Sequence, residues 1–316
     1  MSVTYDGIVN AQKIQGDIIR KTSLTFSDTF SHLTGSTVYL KNEFEQKTGS
    51  FKLRGAYYKI KTLTEDERKN GVVAASAGNH AQGVAFASAL EKIDCTIVMP
   101  KNASPAKIAA TRGYGATVVL EGKNYDEAWV KAQEIAKTTG ATIIHAFDDT
   151  QIISAQGVIG LEIIEDLPDV DEIYVPIGGG GLAAGVLIAI KAKNPNVKII
   201  GVESKSFPSM KNSLDSGKVE TIDGGFTVAD GISVRTPGKQ TFEIIKDKID
   251  EIVLVDDDEI IKTMFLLMER SKSVVEPAGA AGLAYLFSKK PSPVKLVVPI
   301  LCGGNIDMYF LVQFVA

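Results

Sequence analysis

Lys52 is the residue whose neighbours most favour chemistry. It follows Thr-Gly-Ser-Phe at residues 48–51 and begins a predicted helix. Small and apolar neighbours at a helix N-terminus disfavour the ammonium form and help to make the amine nucleophilic. A lysine at the start of a helix is nonetheless nearly always an exposed surface residue. Taken alone, Lys52 therefore gives only a hypothesis of an amine nucleophile.

A run of four glycines follows the strand predicted at 172–177 and precedes a predicted helix. Gly178 to Gly181 let the backbone approach a ligand closely and point several N–H groups at one place. The helix N-terminus behind them also favours a negative charge. A flexible turn is the alternative, but each glycine carries an entropy cost on folding. The loop is therefore predicted to bind a phosphate group.

The glycine loop also fits a dinucleotide-binding interpretation. Gly178, Gly180 and Ala183 match the loose G-x-G-x-x-G/A pattern. The next predicted strand, 198–202, ends at Glu203, where a carboxylate could bind a ribose. This pattern is weak by itself and leaves the motifs in the first third of the chain unexplained. An NAD-dependent oxidoreductase stays open as the alternative from another class.

Four motifs, taken in order, resemble those of a known enzyme family. They read TGSFKLRGA at 48–56, SAGNHAQG at 76–83, GGGGL at 178–182 and CGGN at 302–305. The chain resembles the fold type II pyridoxal-phosphate enzymes, the tryptophan-synthase-β-like group, and within it the single-domain threonine dehydratases and serine racemase. This resemblance covers essentially the whole chain. It implies pyridoxal 5′-phosphate as cofactor, bound in the cleft between two open, twisted α/β domains.

The resemblance implies a role for each motif residue. Lys52 is the Schiff-base lysine that also moves the α-proton, and Phe51 flanks the cofactor ring. Asn79 hydrogen-bonds the ring hydroxyl, and Cys302 faces the pyridine nitrogen where relatives usually carry serine. The other implied contacts are the phosphate-binding residues Gly178, Gly179, Gly180, Gly181 and Leu182, and the substrate-binding residues Ser76, Gly78, His80 and Gly231, with Asp230 beside Gly231.

These roles imply a threonine/serine dehydratase, an ammonia-lyase of amino-acid metabolism. It would eliminate the β-hydroxyl of L-threonine or L-serine and give 2-oxobutanoate or pyruvate plus ammonia. Serine racemase is the alternative on the same cofactor. Racemisation needs an acid–base group opposite Lys52, and the position where the racemases carry that serine is Ala77. We therefore expect a dehydratase that forms little or no D-serine.

No metal site is predicted. The resemblance to serine racemase places one carboxylate of its divalent-metal site at Glu203, but Ser209 stands at the second position. The three histidines are scattered and form no zinc signature. A monovalent ion near Glu203 stays open. The chain ends soon after the Cys302 motif, so we expect no feedback inhibition by isoleucine through a C-terminal regulatory domain.

The elements that must position these motifs alternate along the chain, which predicts an α/β protein with parallel sheets. Residues 71–148 are predicted to form a small domain, and 1–70 plus 149–316 a large cofactor-binding domain. The predicted helices include 124–137, 154–166 and 256–272. The predicted strands are 37–40, 72–75, 96–99, 117–120, 142–145, 172–177, 198–202, 251–255 and 295–301.

The bulk composition excludes several classes of protein. The chain of 316 residues is 45% hydrophobic and 23% charged, so it can bury a large core and is not disordered. Its net charge of −4, with dispersed basic residues, argues against a nucleic-acid partner. Two cysteines and no long apolar run predict a cytoplasmic protein without disulfides or membrane contact. We expect a homodimer or homotetramer whose partner is a small amino-acid substrate.

Overall fold

Short apolar strands separated by helices build two β-sheets in a computed structural model, which describes residues 2–288 and 295–314. The strands are β1 (Leu24–Phe26), β2 (Thr37–Lys41), β3 (Val72–Ala75), β4 (Cys95–Met99), β5 (Thr117–Leu120), β6 (Thr142–Ile143), β7 (Glu172–Pro176), β8 (Lys198–Ser204), β9 (Glu251–Val255) and β10 (Leu296–Pro299). The helices are α1 (Tyr5–Gln15), α2 (Asp28–Thr34), α3 (Lys52–Lys61), α4 (Glu65–Asn70), α5 (Asn79–Glu91), α6 (Pro105–Gly113), α7 (Tyr125–Thr139), α8 (Thr150–Asp166), α9 (Gly181–Lys193), α10 (Ser209–Ser216), α11 (Lys239–Lys246), α12 (Asp257–Leu266), α13 (Pro277–Ser288) and α14 (Met308–Val312).

The larger sheet has six strands in the order β1-β2-β10-β7-β8-β9. Only β1 runs antiparallel to its neighbour among these strands. Side chains alternate across the sheet, so Ile173 and Val175 pack with α8, α9 and α11 on one face. Tyr174 packs with α12 and α13 on the other face. Burial on both faces explains why β7 is apolar almost throughout.

The smaller sheet has four parallel strands in the order β5-β4-β3-β6. One face of β3 packs against α3 and α5, and the other packs against α7. The two-domain division at residue 71 stays a prediction. The sheet itself comes from residues 72–143, whereas Leu53 and Ala56 of α3, which precede the proposed boundary, belong to the core beneath it.

The predicted strands all appear, most within one or two residues of their expected ends. Three differences stand out. Strand β1 was not predicted, because a three-residue edge strand carries too little periodicity. The predicted strand 142–145 ends at Ile143, where the chain leaves the sheet. The predicted helix 256–272 is α12 followed by a π-helical turn, Leu267–Ser271.

No membrane-spanning helix occurs in the part of the chain that the structure describes.

The parallel strands of the two sheets direct their carboxyl ends toward a shared cleft. In open α/β sheets ligands bind at that edge. The four sequence motifs follow β2, β3, β7 and β10, so the fold itself determines where the functional site must lie.

Candidate active site

Lys52 is the first residue of α3, as the sequence predicts. The loop before it is fixed because Phe51 N donates to the Cys302 carbonyl at 3.1 Å. Lys52 Nζ lies at the wall of a cavity and donates to the Ala146 carbonyl at 2.8 Å. Burial lowers the pKa of Lys52 to about 8. At pH 7 roughly a tenth of this amine is therefore unprotonated, far more than for an ordinary lysine.

The glycine loop joins β7 to α9 and lies against the segment that leaves β6. A Cβ atom at Gly179 would stand 2.3 Å from the Phe147 ring, so only glycine fits there. Gly180 has a φ of +95°, a conformation that favours glycine. Thr241 donates its hydroxyl to the Gly179 carbonyl at 2.6 Å, which holds the loop from the other side. The first N–H groups of α9 lack helical partners and can receive an anion.

One cavity of about 870 Å³ collects the predicted site residues. It lies between the two sheets, at the carboxyl ends of β3 and β7. The structure brings together residues that are more than two hundred positions apart in sequence, although their individual roles stay predictions. The predicted residues on its wall are Phe51, Lys52, Ser76, Gly78, Asn79, His80, Gly178, Gly179, Gly180, Gly181, Leu182, Asp230, Gly231 and Cys302.

A chain of amide hydrogen bonds joins three of the four motifs. Asn305 Nδ2 donates both to the Thr48 carbonyl at 2.7 Å and to Asn79 Oδ1 at 2.8 Å. Asn79 Nδ2 in turn donates to Glu276 Oε1 at 2.6 Å. These hydrogen bonds therefore hold together the loops that carry Lys52, Asn79 and Cys302.

His80 lies in the first turn of α5, on the cavity wall, and is almost fully buried. Its Nε2 lies 2.8 Å from the Ile144 carbonyl, which can only accept, so Nε2 carries the proton. Burial, assisted by the charge of Lys52, lowers the pKa of His80 to about 3. A neutral ring has no proton left on Nδ1. Any contact between His80 and a substrate carboxylate therefore falls to its backbone N–H.

The buried imidazole predicts a loss of stability in mild acid. Because folding lowers the pKa of His80, the contribution of the neutral ring to the free energy of unfolding is complete above pH 6.5. This contribution is lost as the pH falls toward 3. Between pH 7.5 and pH 5, the free energy of unfolding should fall by about 2 kcal/mol more in the parent than in His80→Gln. Denaturant unfolding at both pH values measures the difference. His32→Gln, at an exposed histidine, is the control and should keep the parent's pH dependence. If the free energy of unfolding changes equally with pH in His80→Gln and in the parent, the prediction is contradicted.

Cys302 lies beside Lys52 on the cavity wall and is buried. Burial, followed by the nearby Glu276 carboxyl, raises the pKa of its thiol well above the usual range. The thiol is therefore neutral and is a weak donor or acceptor. Cys302 therefore places no formal charge beside the group that it faces in the cavity.

Glu203 serves a helix rather than a ligand. Its carboxylate accepts the backbone N–H groups of Met210 at 2.8 Å and Lys211 at 2.9 Å, at the start of α10. Burial raises its pKa to about 7. The side chain is fully buried and so cannot reach the ribose that the dinucleotide interpretation requires. Within residues 2–288 and 295–314, no group of three or more His, Cys, Asp or Glu could hold a metal ion.

Three residues at the site were missed by sequence reasoning. Glu276 precedes α13, Phe147 covers the glycine loop, and Lys107 forms a 2.5 Å ion pair with Asp230 across the cavity mouth. The only signal in the sequence was the dipeptide Glu276-Pro277 before an apolar helix, which is also an ordinary way for a helix to begin. Neither Phe147 nor Lys107 has a local pattern that separates it from ordinary core or surface residues.

Comparison with known proteins gives consistent matches. Residues 16–303 match the family model described as pyridoxal-phosphate dependent enzyme. The chain is 50% identical to an L-threonine ammonia-lyase of Thermotoga maritima, over 97% of this chain and 76% of that one. It is 45% identical to the catabolic L-threonine dehydratase TdcB of Escherichia coli K12, over 98% and 94%. Maize serine racemase superposes with a TM-score of 0.95 at 34% identity, over 99% and 97%.

Proposed function

Because the chain belongs to the family of pyridoxal-phosphate dependent enzymes, we propose that it is an ammonia-lyase for L-threonine and L-serine. It removes the β-hydroxyl and the amino group, and gives 2-oxobutanoate from threonine or pyruvate from serine, plus ammonia. The observation that carries the proposal is the position of Lys52, an amine of lowered pKa, on the same cavity wall as the four-glycine loop. Family membership removes the NAD-dependent alternative.

The residues present fit pyridoxal 5′-phosphate. The glycine loop lines the cavity, and it can lie against the Phe147 ring only because Gly179 carries no Cβ atom. The start of α9 favours the dianionic phosphate group. The neutral Cys302 thiol suits an unprotonated ring nitrogen. When bound, the cofactor supplies an electron sink for the negative charge that develops on the substrate α-carbon.

The side chains of the protein supply proton transfer and orientation. Lys52 accepts the α-proton, because an amine with a pKa of about 8 is partly unprotonated at pH 7 to 8 and remains a useful base. The backbone at Ser76 to Asn79, ahead of α5, orients the substrate carboxylate toward a helix N-terminus. Phe147 and Phe51 line the cavity and exclude water from the reacting atoms.

The direct test is a product assay. Protein loaded with pyridoxal phosphate is incubated with L-threonine or L-serine, and keto acid and ammonia are measured in parallel. We expect equal amounts of the two products from each substrate. A protein that binds the cofactor and releases no keto acid from either amino acid would refute the proposal.

Serine racemase is the second candidate, favoured by the close superposition with the maize enzyme. Ala77 lines the cavity with a methyl group, which has no proton to give. We expect Ser76, one residue earlier, to point in another direction, and its Oγ is held within its own loop by the Gly78 N–H, which donates to it at 3.2 Å. A positioned acid–base group typically contributes about 10²- to 10⁴-fold. We therefore expect D-serine to form at least about a hundredfold more slowly than pyruvate.

Chiral chromatography of the serine reaction measures this ratio. Ala77→Ser is the informative variant, because it restores the missing hydroxyl and should raise D-serine relative to pyruvate. Ala103→Ser, which adds a hydroxyl to a different part of the cavity lining, is the matched control and should leave the ratio unchanged. D-serine that forms as fast as pyruvate in the parent would overturn the assignment as a dehydratase.

The cytoplasmic location and the homodimer or homotetramer remain predictions.

A further inference from the structure

Glu276 is a buried acid on the cavity wall that the proposed reaction does not use. It is only 4% exposed and lies immediately before α13. Its backbone is fixed because Glu276 N donates to the Gly303 carbonyl at 3.0 Å. A Cβ atom at Gly303 would stand 2.3 Å from Glu276 Oε1, so the carboxyl group fills its space and has little freedom to turn.

The partner of Glu276 is the side-chain amide of Asn79. Glu276 Oε1 accepts from Asn79 Nδ2 at 2.6 Å, and Asn79 Oδ1 accepts from Asn305 at 2.8 Å. An amide nitrogen carries two hydrogens, so one N–H of Asn79 remains for a ligand in the cavity. Turning the amide over would bring nitrogen against nitrogen at Asn305, whose own Nδ2 is held by the Thr48 carbonyl. Asn305 therefore defines which atom of Asn79 is the donor.

The surroundings keep Glu276 largely neutral. Burial, followed by the charge of Asp230, raises its pKa to about 8, whereas Lys107, the Asn79 hydrogen bond and Lys52 act in the opposite direction. A neutral acid accepts through its carbonyl oxygen and adds no full negative charge beside the cofactor. Such a charge would compete with the electron sink that the reaction needs.

We propose that Glu276 is a positioning residue of the lyase: it holds the Asn79 amide so that the remaining N–H faces the cofactor ring. This inference rests on the proposed function and on the predicted contact between Asn79 and the ring hydroxyl. Glu276 acts through Asn79 and needs no contact with the substrate. Its loss should therefore affect the bound cofactor and the chemical step more than substrate binding.

The first test compares Glu276→Ala with Glu276→Gln in the full chain loaded with pyridoxal phosphate. Glu276→Ala should shift the absorbance maximum of the bound cofactor and weaken its binding. It should also lower kcat for L-threonine by about 10- to 100-fold, with KM changed less than about threefold. Glu276→Gln keeps an acceptor oxygen and should restore most of the parent spectrum. Glu269→Ala, at an exposed glutamate of the preceding turn, is the control.

The second test asks whether Glu276 acts through Asn79. If it does, Glu276→Ala should cause no further loss of kcat and no further spectral shift in an Asn79→Ala background. Two outcomes would overturn the inference: losses that multiply in the double variant, or a Glu276→Ala protein with the parent spectrum and kcat but a lower Tm. Failure of the proposed function is distinguishable, because the parent would then release no keto acid while the spectral comparison could still be made.

Discussion

Replacing Lys52 with alanine is expected to abolish the release of keto acid from L-threonine. Under the proposed roles of Lys52, the variant loses both the covalent attachment of the cofactor and the base that takes the α-proton. A positioned base alone contributes about 10²- to 10⁴-fold, so the combined loss should reach about 10⁴-fold or more, which is about 5 kcal/mol of barrier. Steady-state production of 2-oxobutanoate, at saturating pyridoxal phosphate, measures the loss.

Lys47 provides the control for this experiment. It is an exposed lysine in the same loop. Lys47→Ala therefore removes an amine that is close to Lys52 in sequence but does not line the cavity. Its kcat should stay within about twofold of the parent, well below the effect of losing a catalytic group. Borohydride reduction should attach the cofactor to the parent and to Lys47→Ala, but not to Lys52→Ala. Activity within tenfold of the parent in Lys52→Ala would show that another residue is the base.

The four motifs predicted the family and the cofactor, and both are confirmed by the family match over residues 16–303. The fold explains why four short segments were sufficient. Each motif follows the carboxyl end of a strand, namely β2, β3, β7 and β10, and such ends meet at one edge of a parallel sheet. A local pattern that ends a strand therefore also marks a wall of the cavity.

Contacts that depend on tertiary placement could not be predicted. Glu203 lies near the end of β8 and resembled a ligand-binding carboxylate, yet its oxygens bind the N-terminus of a helix that begins six residues later. Glu276 resembled an ordinary acidic residue before a helix, and its proposed role depends on Asn79, which is 197 residues away. The first pairing depends on how the chain turns between β8 and α10, and the second on how two distant segments meet, so neither has a signature in residue spacing.

Arg54 shows the same limit inside the best-recognised motif. Its position near Lys52 says nothing about its partners, and an arginine is usually exposed. In the structure its side chain is 0% exposed and makes paired hydrogen bonds to Glu43 and Glu162 at 2.7 to 2.9 Å. Lys41 adds a second cation, 2.6 Å from Glu162. Two buried cations thus balance two buried carboxylates directly below the start of α3.

Arg54→Met is therefore expected to lower the free energy of unfolding by about 3 to 5 kcal/mol, the usual cost of removing one partner from a buried ion pair. Arg54 is the main reason that the pKa of Glu43 lies below its ordinary value despite full burial. Methionine fills much of the same volume but leaves one carboxylate charge uncompensated in the core. Equilibrium denaturation of the cofactor-loaded protein, followed by circular dichroism, measures the change.

Two further variants separate charge balance from packing. Lys61→Met removes a cation from the same helix, but Lys61 pairs with Glu91 at the surface, so the cost should stay below about 1 kcal/mol. Arg54→Met combined with Glu43→Gln removes one charge of each sign and should recover part of the lost stability, since no net charge then remains buried. If Arg54→Met costs no more than Lys61→Met, the cluster contributes little. The fixed position of Lys52 must then come from the Phe51–Cys302 hydrogen bond and the packing of α3 alone.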